Sequence, residues 1–186
     1  MSCTRTKNTL EIRIEETKKK LEEMVSIVSI WAEMVGDYCL LQHVKQLIFT
    51  PQGGRFPSEC INENPGQIFL IYVLQNESTR LSMAYEALKS VQNIFKKDLS
   101  STTWDLHQLN LFQNMIDRTV ERLQFCVGEQ LSGSSETKYA NLKIYFEKLN
   151  GILEDKGHSR CAWEIVRMEV LRNLEYLSKF FGSSQR

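Results

Sequence analysis

Proline is nearly missing from this sequence: there are three in 186 residues, and glycine numbers only nine. So few helix breakers, with no run of alternating apolar and polar residues, exclude a strand-rich fold and leave an all-α chain. Charge of either sign is not in excess: Lys+Arg and Asp+Glu are both 23. A nucleic-acid binder carries a basic footprint, so that partner class is excluded. No apolar run reaches the roughly 18–20 residues that span a bilayer, so membrane insertion is not expected. There is no Gly-rich phosphate loop, no G-x-S-x-G and no H-E-x-x-H, and no pair of cysteines has C-x-x-C spacing. An enzyme, a metal and a cofactor therefore all lack a motif.

What is present is helical periodicity. Leu109, Phe112, Met115/Ile116, Val120, Leu123 and Val127 recur at three and four residues, as one face of a helix requires. Tyr139, Leu142, Tyr145/Phe146, Leu149 and Ile152/Leu153 mark a following helix, with Ser132–Ser135 as the loop between. Phe69, Tyr72/Val73, Leu81, Ala84/Tyr85, Leu88, Val91 and Phe95 form an earlier one with a gap around Asn76, and Thr102 or Thr103 is placed to cap the helix after it. Thr50-Pro-Gln-Gly-Gly54 and Asn62-Glu-Asn-Pro-Gly66 are loop chemistry.

The first 38 residues read two ways. Leu10, Ile14, Leu21, Met24/Val25, Val28, Trp31 and Val35 share a helical face that is interrupted at Thr17. Lys18–Lys20 followed by the apolar Met24–Ala32 also has the order of a degraded signal segment, cleaved near Gly36. The expected division is an extension or signal segment over 1–38 and a helical domain over 39–186.

The most informative stretch runs from Cys161 to Phe181. Trp163, Val166, Val170, Leu174, Leu177 and Phe181 form an apolar stripe, with Ser159 before it as an N-cap and Gly182 after it as a stop. Met168 and Arg172 point almost opposite the stripe, Leu171 lies on its flank and Arg167 near its edge. The word Cys161-Ala-Trp-Glu-Ile-Val-Arg-Met-Glu-Val-Leu-Arg172 resembles the last-helix signature of the type I interferons. Arg55-Phe-Pro-Ser-Glu-Cys60 resembles their loop after the first helix, Val91-Gln-Asn-Ile-Phe95 their second helix, and Ser100-Ser-Thr-Thr-Trp104 the linker into their third. The resemblance covers about 39–182.

That resemblance implies an up-up-down-down cytokine bundle with an extra helix, here with an N-terminal helical extension. It implies a secreted, monomeric protein that binds two cell-surface receptor chains and triggers antiviral signalling. One receptor face would use Ile61 with Arg167, Met168, Leu171 and Arg172. The opposite face would use Lys143, where the family often carries Arg, whereas Asn64 is neutral where some members carry a basic loop residue. The implied disulfides are Cys39–Cys126 and Cys60–Cys161, with Cys3 left over. A Cys3–Cys126 bridge would instead make the N-terminal segment the first helix. Asn76-Glu-Ser78 is a glycosylation sequon.

Plainer readings stand beside these. Arg167 can pair with Glu164 one turn away, and Met168 and Leu171 can be buried under a loop. His158 three residues before Cys161 suggests a Cys–His nucleophile, or simply a polar turn beside a disulfide. The rival function is an intracellular helical scaffold with all five thiols reduced.

Overall fold

The computed structural model describes residues 3–25, 56–66, 68, 80–131 and 140–182. Five α-helices are found among them: α1 (Cys3–Glu23), α2 (Arg80–Ile94), α3 (Leu106–Leu131), α4 (Ala140–Asp155) and α5 (Arg160–Gly182). A 3-10 turn, Ser58–Glu63, lies between α1 and α2.

Cross-links and hydrogen bonds between the helix ends give the topology. Cys3 at the start of α1 is bridged to Cys126 near the end of α3. At the opposite ends, the Asp105 N–H donates to the Met24 carbonyl at 2.8 Å. The two helices therefore run antiparallel. Arg80 lies over the Phe180 ring at 4.6 Å, while Phe95 meets Trp163 with ring centroids 5.8 Å apart. So α2 and α5 are antiparallel too. Gln92 donates to Asp117 at 2.8 Å, and Gln113 to the Phe95 carbonyl at 2.8 Å, which sets α2 against α3. With α1 packed on both α3 and α5, the four helices form an up-up-down-down bundle. α4 packs on α5 and α2 as the extra helix.

The core is the set of stripes read from the sequence. Leu10, Ile14 and Leu21 of α1, Val91 of α2, Phe112 and Leu123 of α3, Leu149 of α4, and Val166, Val170 and Leu174 of α5 are all buried in it. Thr17 interrupts the α1 stripe in sequence but not in space. It is buried, and its hydroxyl donates to the Arg13 carbonyl at 2.7 Å, so the polar group is satisfied within the helix.

Within the expected extension over 1–38, Cys3–Glu23 is a helix whose apolar stripe, Leu10, Ile14 and Leu21, is buried in the bundle core. Residues 26–55, which hold the rest of that segment and Cys39, lie outside the described residues, as does Asn76.

Local sequence explains the helix ends. α3 is capped by Asp105, whose Oδ1 accepts the Gln108 N–H at 2.8 Å. The expected caps lie elsewhere: Thr102 donates its hydroxyl to the Leu99 carbonyl at 2.8 Å and closes the preceding turn. α4 ends with Gly157 and His158 in left-handed backbone, φ 57° and 54°, and the His158 N–H reaches back to the Leu153 carbonyl at 2.7 Å. This tight reversal delivers the chain to Ser159, whose Oγ accepts the Ala162 N–H at 3.3 Å at the start of α5.

Candidate binding face

The inner side of α5 is tied down at its first two turns. Trp163 is fully buried and donates its indole N–H to the Asp98 carbonyl at 3.0 Å. Its ring meets Phe95 and, edge-on at 5.9 Å, Trp104. Trp104 in turn donates Nε1–H to Glu164 Oε1 at 2.6 Å, and the other carboxylate oxygen accepts from Arg167 Nε at 2.9 Å. Glu164 and Arg167 are 3% and 0% exposed. A charge so far from water is tolerated only when paired and hydrogen-bonded, and both conditions are met here.

Arg167, expected on the contact face, is buried in the core of the bundle. The one-turn pair with Glu164 is real, but it is sealed in the core rather than lying on the surface. Leu171, expected on the same face, is 7% exposed and belongs to the hydrophobic core.

The outward side is different. Met168 is half-buried, packed against the core with its Sδ 3.7 Å from Arg167 Nη2. Arg172 keeps 37% of its side chain exposed and pairs through Nη1 with Oε1 of Glu169, whose own side chain is 1% exposed. The 3-10 turn packs on α5 and presents Ile61, which is 60% exposed. Three links hold that turn: the Cys60–Cys161 disulfide, an Arg160–Glu59 ion pair at 2.8 Å and a Lys156–Glu63 pair at 2.8 Å. Asn64 Oδ1 accepts the Gly66 N–H at 3.0 Å, and the left-handed Gly66, φ 84°, turns the chain back. Of the residues expected on this receptor face, Ile61, Met168 and Arg172 are thus the ones that remain accessible.

Lys143 stands on α4 with 78% of its side chain exposed, 3.9 Å from Glu147. A surface pair at that distance leaves the ammonium available to a partner. The apolar Ile144 beside it is 49% exposed.

The cysteines divide into one pairing as expected and one correction. Cys60–Cys161 is present with Cα atoms 5.2 Å apart. Cys126 pairs with Cys3 rather than with Cys39, at a Cα separation of 5.4 Å. The physical reason is the antiparallel packing of α1 on α3, which brings the first residue of α1 to the end of α3. Cys161 is therefore a disulfide half, not a nucleophile, and the neighbouring His158 ring packs 6.4 Å from Trp163.

Glu169 is the residue the sequence reading passed over. Its Oε1 accepts the Ile68 N–H at 3.3 Å besides meeting Arg172, and its carbonyl accepts the Tyr145 hydroxyl at 3.2 Å. Burial first, and the Glu169 charge second, push the Tyr145 phenol far up from its ordinary value, so it stays a neutral donor. A carboxylate three residues after Val166 and one before Val170, on the edge of the apolar stripe, was the available signal.

A family model described as the interferon alpha/beta domain matches residues 53–184. Interferon beta of Homo sapiens is 30% identical over 129 residues, covering 63% of this chain and 65% of its own length. Interferon alpha-21 of Homo sapiens is 30% identical over 154 residues, or 76% of this chain and 80% of that protein. The chain spans just under two thirds of interferon beta from Homo sapiens and 60% of that from Macaca fascicularis. Among solved structures, zebrafish interferon 2 superposes with a TM-score of 0.67 over 90% of this chain and 96% of its own, at 24% identity. Zebrafish interferon 1 gives 0.59 over 98% and 99%, at 19% identity. These two speak for the fold.

Proposed function

The chain belongs to the interferon alpha/beta family, and we propose that it acts as a type I interferon: a secreted, monomeric cytokine that joins two cell-surface receptor chains and starts antiviral signalling. The family is one of cytokines, not enzymes. The observation that carries the proposal is the disulfide-clipped loop on α5, which places Ile61 beside the helix that presents Met168 and Arg172. Those three form the contact face for one receptor chain. An Arg with a half-exposed fork next to apolar groups suits a partner that offers a carboxylate and an apolar patch.

Lys143 belongs to the face for the second chain, on the α2, α3 and α4 side. Lysine meets an anion there as a point charge, without the bidentate fork of arginine. Asn76 is the glycosylation site in this reading. Two disulfides favour an oxidising compartment and count against the intracellular scaffold, whose thiols would all be reduced.

The test is antiviral protection in cells of matched origin. Added protein should protect cells that carry both receptor chains from a lytic virus and lose that effect when either chain is deleted. Protection that survives deletion of either chain contradicts the two-chain reading.

A further inference from the structure

Glu169 is a buried carboxylate with no part in the apolar core, and its contacts lie on three separate pieces of chain. Its Oε1 accepts the backbone N–H of Ile68, 101 residues away in sequence, at 3.3 Å. The same oxygen meets Arg172 Nη1 on the next turn of α5. Its main-chain carbonyl takes the Tyr145 hydroxyl of α4 at 3.2 Å. Only 1% of the side chain reaches solvent, while 37% of Arg172 does. One oxygen thus joins the loop that follows the 3-10 turn to the cation on the surface.

We infer that Glu169 is the positioning residue of this face, holding the loop backbone at Ile68 and the Arg172 guanidinium as one preassembled unit. The inference rests on the receptor reading of the face above. The physical basis is the burial of the carboxylate: bonds to a charged acceptor held away from water are directional and hard to exchange for water. An arginine fixed on one edge by a buried carboxylate loses little rotamer freedom when its free edge meets a partner. A loop N–H held by the same oxygen fixes the approach of the chain around Ile61 by a second tether, independent of the Cys60–Cys161 bridge. Tyr145, kept protonated, props the α5 backbone at the same residue.

Glu169→Gln keeps an acceptor for the Ile68 N–H and removes the charge that holds Arg172. Glu169→Ala removes both. The experiment combines amide hydrogen exchange on the free protein with binding to the immobilised extracellular region of the cognate receptor chain. In Glu169→Ala the Ile68 amide should exchange at least about tenfold faster while α3 amides stay protected. In Glu169→Gln, the fallback should Glu169→Ala fold poorly, it should exchange less fast. Affinity should fall in both. The losses from Glu169→Gln and Arg172→Ala should not multiply in the double variant, because one acts through the other, whereas those from Glu169→Gln and an Ile61→Ala change at the loop tip should be only partly independent.

An Ile68 amide that exchanges as in the wild type in Glu169→Ala overturns the inference, whatever the receptor result. So do losses from Glu169→Gln and Arg172→Ala that multiply fully. If Ile68 is released but Arg172→Ala binds like the wild type, the receptor reading of the face is what fails, and the positioning role falls with it.

Discussion

Two Glu–Arg pairs sit five residues apart on α5, each with the same spacing of three. Glu164–Arg167 is closed off from water on both sides, whereas Glu169–Arg172 buries its carboxylate and leaves its cation half in solvent. In sequence they are nearly the same word. What separates them is the neighbour from elsewhere in the chain: Trp104 reaches the first carboxylate, a loop amide reaches the second. The first pair joins the bundle to its own linker. The second points the same chemistry outward. A family signature that contains both arginines therefore contains one structural and one surface residue.

The comparison can be broken most severely at the inner pair. Arg167→Ala strands Glu164 in the core, and removal of one partner of a buried pair costs about 3–5 kcal/mol. Chemical denaturation should show a loss of that size. Replacing both partners, Glu164→Gln with Arg167→Met, should recover most of it, since a buried pair exchanged for groups of similar volume is often near neutral. A double variant as unstable as the single would show that the pair is not self-contained.

The two disulfides sharpen the contrast next. Replacing Cys60 and Cys161 by Ser, or Cys3 and Cys126 by Ser, should each cost about 2–4 kcal/mol through the unfolded chain. Only the first replacement should also weaken receptor binding per folded molecule, because only that bridge holds the loop bearing Ile61. Peptide mapping without reductant should recover Cys3–Cys126 and Cys60–Cys161, and a peptide joining Cys39 to Cys126 would contradict the first-helix assignment. The smallest effect is expected far from α5: Lys143→Gln should leave stability within about 0.5 kcal/mol, as exposed substitutions do, and leave binding to the α5-side receptor chain unchanged.

Much of this was readable in advance. The stripes on α3, α4 and α5 name the core because helical burial repeats every three to four residues whatever the partner. Met168 and Arg172 follow from rotation around one helix and from its signature, and Ile61 from the resemblance of its loop. Three things were not readable. Thr17 looked like a break in α1, because sequence does not show a hydroxyl returning its hydrogen bond to Arg13. Cys3 looked surplus, because pairing depends on the antiparallel register of α1 and α3. Arg167 looked like an edge residue, because its burial is decided by Glu164 and Trp104, the latter some sixty residues distant from Glu164 in sequence.

The division of labour between the two arginines is tested most directly by the affinity of Arg172→Ala for the immobilised extracellular region of the α5-side receptor chain, with folded fraction measured on the same sample. The cation is partly solvated, so stability should fall by only about 1–2 kcal/mol. Affinity should drop at least about tenfold, the usual result of truncating a binding anchor. A folded Arg172→Ala protein that binds as tightly as the wild type would contradict the account.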